Sequence, residues 1–225
     1  MDILHRDDLA RGGFAGLKEH QLVMDPQAFG ERAGPGTWPG IGNFVYLADA
    51  RFDPLGETRM HGHKEIDVIS VMVEGRIAHA GSMEHGQELS GNAVQVQRAG
   101  GEGFSHNEIN PDDHNNRMIQ LWALPERPGE AAGYKLYEPK WGETAHIYGG
   151  ETDQKETYAA ETMIDVSLLH DGQTVSVDGP FLAYVTKGAG QAGDETVADG
   201  DLIRGDGLQF TADGKTQLIT IYRRP

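Results

Sequence analysis

Turn signals cut this chain into short pieces, and they limit the folds open to it more than any other feature. In the second half, Asp171-Gly172, Asp178-Gly179-Pro180, Asp199-Gly200-Asp201 and Asp213-Gly214 recur between apolar runs. Such pairs are the chemistry of tight turns between strands. Gly12-Gly13, Gly34-Pro35-Gly36 and Pro39-Gly40 punctuate the start in the same way. With 31 glycines and 10 prolines in 225 residues, the spacing predicts an all-β chain rather than a helical bundle. Strands are expected at 44–50, 60–73, 76–82, 93–97, 117–124, 145–148, 163–168, 181–186, 196–197, 208–211 and 217–222, with a short one at 20–24 and a loop over 84–89. Pro125 to Gly133, with its prolines and glycines, reads as a crossing between domains.

Composition removes several function classes. An apolar fraction of 38% is enough to bury a core, so wholesale disorder is not expected. The formal charge of -16 argues against direct nucleic-acid binding, which needs clustered Lys and Arg to displace counterions. Arg223-Arg224, at the very end, is the only basic cluster. Without cysteine there is no thiol nucleophile, thiolate ligand or disulfide. Met1 to Asp8 is too charged for a secretory leader, and no apolar run approaches the roughly 18 residues of a membrane span. A cytoplasmic protein without membrane contact is the expectation.

The chemistry concentrates in two short segments. In an extended strand, residues two apart point to one side, so His61 and His63 of His61-Gly62-His63 project together, as do His106 and Glu108 of His106-Asn107-Glu108. Two such pairs on neighbouring strands give four convergent donors. Three imidazoles and one carboxylate suit a borderline divalent ion, whereas calcium or magnesium would want mostly oxygen. Asp67 follows His63 at an even offset, and Ile69, Val71 and Val73 extend that face before Glu74-Gly75 turns the chain. A polar group leading into an apolar face is what a strand entering a barrel interior shows. The His-x-His pair alone is weak, because histidines also sit on wet strand faces.

The order Gly56, His61-x-His63, Asp67 and Gly75, then a glycine-rich turn and another histidine, resembles the cupin motif pair, with Asp67 where cupins commonly carry Glu. Arg98 to Glu108, Glu74 to Ser82 and Arg117 to Trp122 followed by Pro125 resemble the pirin family more narrowly, over about residues 40 to 150. The resemblance implies an all-β bicupin of two jelly-roll barrels. Residues 1–135 would form a metal-bearing N-terminal barrel, and residues 136–225, which have no His-x-His, a second barrel without metal. It also implies a first strand crossing into the second domain. The ligands carried over are His61, His63, His106 and Glu108. Ferrous iron is the first expectation, with nickel, copper, manganese, cobalt and zinc as alternatives.

The activity implied is that of a quercetin 2,3-dioxygenase, a metal-dependent opening of a flavonol or related polyphenol by oxygen, so the expected partner is a small aromatic molecule. Asp67 and Glu102 are candidates for orienting ligand histidines or removing a proton. A second reading is a non-catalytic, metal-bearing regulatory module that binds a protein partner, as described for pirin itself. A third is another cupin reaction that uses no oxygen. His79 and His114 are weaker candidates near the site, His5 and His20 read as surface residues, and His146 and His170 stand alone in the second half and are not expected to hold a metal. Gly100-Gly101-x-Gly103 has no following helix or Lys and does not read as a phosphate loop, and there is no Gly-x-Ser-x-Gly.

Overall fold

The computed structural model describes residues 1–83 and 88–224. In chain order its strands are β1 (Asp2–His5), β2 (Arg11–Phe14), β3 (Leu17–Met24), β4 (Phe44–Phe52), β5 (His61–His63), β6 (Asp67–Glu74), β7 (Arg76–Gly81) and β8 (Glu88–Ser90). They continue as β9 (Val94–Arg98), β10 (Phe104–Ile109), β11 (Arg117–Ala123), β12 (Gly133–Tyr137), β13 (Glu143–Gly150), β14 (Ala160–Leu169), β15 (Thr174–Ala192), β16 (Glu195–Ala198) and β17 (Asp201–Arg223). One short helix, α1 (Pro26–Phe29), is capped by the Asp25 carboxylate accepting from the Gln27 amide. The all-β expectation therefore holds.

The chain forms two compact units: one of Leu9–Gly40 and Val45–Glu138, the other of Met1–Asp8, Ile41–Phe44 and Pro139–Pro225. In the first, a seven-stranded sheet runs β12-β9-β6-β11-β4-β3-β2, and a four-stranded sheet runs β5-β10-β7-β8. Strand parity explains its core. Met72 and Met118, from the larger sheet, cluster with Ile77 and Leu89 from the smaller one, together with Leu17 and Phe52. Burying side chains of this size contributes roughly 1.5–3 kcal/mol each.

Two glycines are required by this packing. Gly75, at φ +71°, makes the turn between β6 and β7, where an added Cβ would lie 2.8 Å from that of Asn116. Gly81 stands opposite His106, and a Cβ there would come within 2.8 Å of the His106 Cα. That strand can lie against the histidine strand only because Gly81 has no side chain.

The second unit is one sheet, ordered β13-β14-β17-β15-β16, with β1 paired to β17. The pairing of β1 with β17 is the early crossing that the resemblance implied. Phe181, Val185, Ile203, Leu208, Phe210 and Leu218 belong to its buried core.

Several boundaries differ from those expected. The pairs Asp178-Gly179 and Asp213-Gly214 lie inside β15 and β17 instead of ending them. Around the first, the β15–β17 register shifts between Val177 and Pro180, so the glycine bends a continuing strand. The expected strand 60–73 is two strands, because Glu65 takes φ +53° between β5 and β6. Parity is therefore not carried from His63 to Asp67, and β5 and β6 belong to different sheets. Of the expected loop over 84–89, residues 84–87 lie outside the described residues, while Glu88 and Leu89 belong to β8.

Candidate metal centre

The histidine strands are neighbours. β5 runs antiparallel to β10, with His106 opposite His61 and Phe104 opposite His63. The His106 Nε2 lies 3.1 Å from that of His61 and 3.2 Å from that of His63. A neutral imidazole carries one N–H, so at most one of these two contacts is a hydrogen bond. Among the described residues, the buried His106 Nδ1 has no partner either. His61 Nδ1 sits 3.0 Å from the Arg59 carbonyl, a contact in which the ring donates and turns its Nε2 lone pair toward the other two. The facing imidazole nitrogens therefore cannot all be satisfied by one another, and a cation among them would satisfy them together, so this donor set fits a metal ion.

Glu108 adjoins this triad through His106. One donor atom each of His61, His63 and His106 lies within 4.8 Å of the others, and the same is true of His79, His106 and Glu108. The Glu108 Oε1 stands 3.4 Å from His79 Nε2 and accepts a hydrogen bond from Ser70 Oγ at 3.3 Å. His79 Nε2 in turn lies 2.7 Å from the Gln95 side-chain amide. His79, on β7, is thus buried against the acid, a position its sequence context pointed to only weakly.

Electrostatics prepare these groups as ligands. Burial pulls the His63 imidazole down to about 4, with the charge of His61 acting the same way and Glu108 opposing. Burial likewise lowers His106 to about 3, against Glu108 and with its imidazole neighbours. For Glu108, burial pushes upward, but the His79 contact and the surrounding imidazoles outweigh it and hold the carboxyl at about 2. All three are in the state a metal needs at neutral pH, two neutral rings and one carboxylate.

A stability prediction follows from linkage. The two imidazoles have folded-state values below the unfolded value of about 6.5, so their contribution is full above that pH and declines as pH falls toward about 4. Glu108 adds a loss only below its unfolded value of about 4.5. The urea midpoint of metal-free protein is expected to be lower at about pH 4.5 than at about pH 7. An unchanged midpoint would contradict the shifts.

The imidazoles and Glu108 open onto a cavity of about 240 Å³, small for a ligand pocket. Its far walls come from β3, β4 and β11. Trp122 stacks on Tyr46 at 4.4 Å and on Phe29 at 6.1 Å between ring centroids, and Phe14 meets His61 edge-on at 6.3 Å. Glu19 and Gln21 face the same space. None of these wall residues was picked out from the sequence as part of the site. The alternation Leu17, Glu19, Gln21 was the available signal, but the expected strand started only at residue 20.

The remaining candidates fall elsewhere. Asp67 is buried on β6, its carboxylate bonded by the Arg98 guanidinium at 2.8 to 3.2 Å. Glu102 is exposed, beside a shallow outer cleft that also touches His63. His114 is exposed on its loop.

The family model described as Pirin matches residues 31–123. A Pseudomonas aeruginosa protein provisionally named a quercetin 2,3-dioxygenase is 28% identical over 140 residues, 62% of this chain and 55% of that protein. Escherichia coli quercetin 2,3-dioxygenase is 29% identical over 76 residues, 33% of this chain and 32% of that one. The chain thus spans about half or less of these curated relatives. A bacterial pirin from Escherichia coli, solved in complex with nickel(II), superposes with a TM-score of 0.82 at 15% identity, covering 100% of this chain and 99% of that chain. An Acinetobacter baumannii quercetin 2,3-dioxygenase gives 0.72 at 17%, covering 100% and 86%. At such identities the likeness establishes the fold, a bicupin of the jelly-roll kind, with sheets that do not close into complete barrels. Among the described residues, no helix is long and apolar enough to cross a membrane.

Proposed function

We propose, from the match of residues 31–123 to the family model described as Pirin, that the chain is a pirin-like protein acting as a metal-dependent dioxygenase on a flavonol or similar polyphenol. Its ion would be held by His61, His63, His106 and Glu108. The observation that carries this reading is the juxtaposition of three facing imidazole nitrogens with an aromatic-walled cavity of about 240 Å³. A divalent first-row ion suits this nitrogen-rich set, with ferrous iron the first expectation. When bound, the ion supplies Lewis-acid and redox chemistry.

The chain's own residues prepare the rest. Trp122, Tyr46 and Phe29, packed on one another, form an aromatic wall of the cavity against which a planar aromatic would lie, shielded from water on that side. Glu108 offsets part of the ion's charge, and Ser70 and His79 fix the direction of its oxygen. His61 is held in one tautomer by the Arg59 carbonyl.

The test is turnover. Protein loaded with ferrous iron and given quercetin and oxygen is expected to take up oxygen and release carbon monoxide in equal amounts. Rates equal to those of metal-free protein would overturn the proposal.

A further inference from the structure

Three other buried acids of the first unit each face a basic partner: Asp49 pairs with Arg117, Asp67 with Arg98, and Glu108 with His79. Glu19 does not. It is 7% exposed, and among the described residues its carboxylate is held by two neutral donors. Gln21 Nε2 donates to Oε1 at 2.9 Å, and the Tyr46 hydroxyl donates to Oε2 at 3.1 Å. Gln21 Nε2 also lies 3.2 Å from the Tyr46 oxygen, so the three side chains form a closed set. Burying an ionised carboxylate without a cation is costly, and the cost is relieved by taking up a proton.

Strand parity gives this acid its direction. On β3, Lys18 is exposed while Leu17, Glu19 and Gln21 face the cavity that His61, His63, His106 and Glu108 line from the other side. A register shift in the β3–β4 pairing between Gln21 and Val23 ends the run.

We propose that Glu19, steadied by Tyr46 and Gln21, accepts the proton of the acidic hydroxyl of the molecule bound in this cavity, an assignment that rests on the cavity being a polyphenol site. The hydroxyl O–H bond breaks, its electron pair stays on the ligand oxygen, and a new O–H bond forms on the Glu19 carboxylate. Glu108 is thereby left free to serve as a ligand. Burial raises the Glu19 carboxyl above the ordinary range, the Gln21 and Tyr46 hydrogen bonds oppose this, and the charge of Glu108 adds to the rise. The titratable groups that share the cavity with it are Tyr46 from β4, His61 and His63 from β5, and His106 and Glu108 from β10.

The test is a proton inventory. Quercetin is titrated calorimetrically into zinc-loaded protein in buffers of different ionisation enthalpy. Wild type is expected to release almost no proton to buffer near neutral pH, while Glu19→Gln releases roughly one per quercetin bound. Equal release by the two proteins would overturn the assignment of Glu19 alone. Failure of wild type to bind quercetin would overturn it together with the polyphenol reading. A second measurement needs no variant: quercetin binding to wild type should produce a new protonated-carboxyl band in the infrared difference spectrum, and a spectrum without that band would overturn the assignment.

Discussion

His106→Ala is expected to abolish stoichiometric metal binding, with a loss in affinity above the ~100-fold that removal of a supporting outer residue can cost. The reason lies in the geometry. His106 Nε2 is the shared vertex, 3.1 Å from one imidazole nitrogen and 3.2 Å from another, and His106 also adjoins Glu108 and His79. Removing it leaves His61 and His63 on one strand and Glu108 on the next without their common neighbour. His79→Ala provides the contrast. That ring abuts Glu108 from the side of Gln95, so its removal should weaken binding within about 10- to 100-fold. Calorimetric titration with nickel(II) separates the two. Equal losses would mean that His79 is itself a ligand.

Asp67→Ala is expected to destabilise the first unit by about 3–5 kcal/mol and to leave metal affinity unchanged. The Asp67 side chain is fully buried and the Arg98 side chain is 7% exposed. Removing the carboxylate strands a guanidinium in the interior, where Glu130, 2.7 Å from Nη1, compensates only in part. An acid that oriented a ligand histidine would behave the other way, with metal affinity falling and urea stability largely kept. Asp67→Asn, which keeps the volume but not the charge, should be intermediate in stability.

The donor pairs were legible because their spacing is local. Residues two apart in a strand share a side whatever the strand pairs with, so His61 with His63 and His106 with Glu108 could be grouped in advance. What local pattern cannot supply is register: the placing of His106 opposite His61 is set by packing between segments 45 residues apart. Parity also misled where the backbone broke it. Ile69 and Val71 were expected to continue the face of His63, yet beyond the left-handed Glu65 it is Ser70 that reaches Glu108.

The cavity wall was hidden for a different reason. In a chain of formal charge -16, one more Glu between Lys18 and His20 reads as a solvated acid. Its carboxylate is covered by Tyr46, which is remote in sequence. In the second unit the turn dipeptides signal strand ends, and at two of them the strand goes on. There the glycines at φ +74° (Gly179) and +76° (Gly214) bend strands that continue for 19 and 23 residues.

Anomalous diffraction from crystals of nickel-loaded protein tests the central assignment most directly, because it locates the ion without reference to any activity. The expected map has one peak bonded to the Nε2 atoms of His61, His63 and His106 and to a Glu108 oxygen. A peak held by His79 in place of Glu108, or no peak among these three imidazoles, would contradict it.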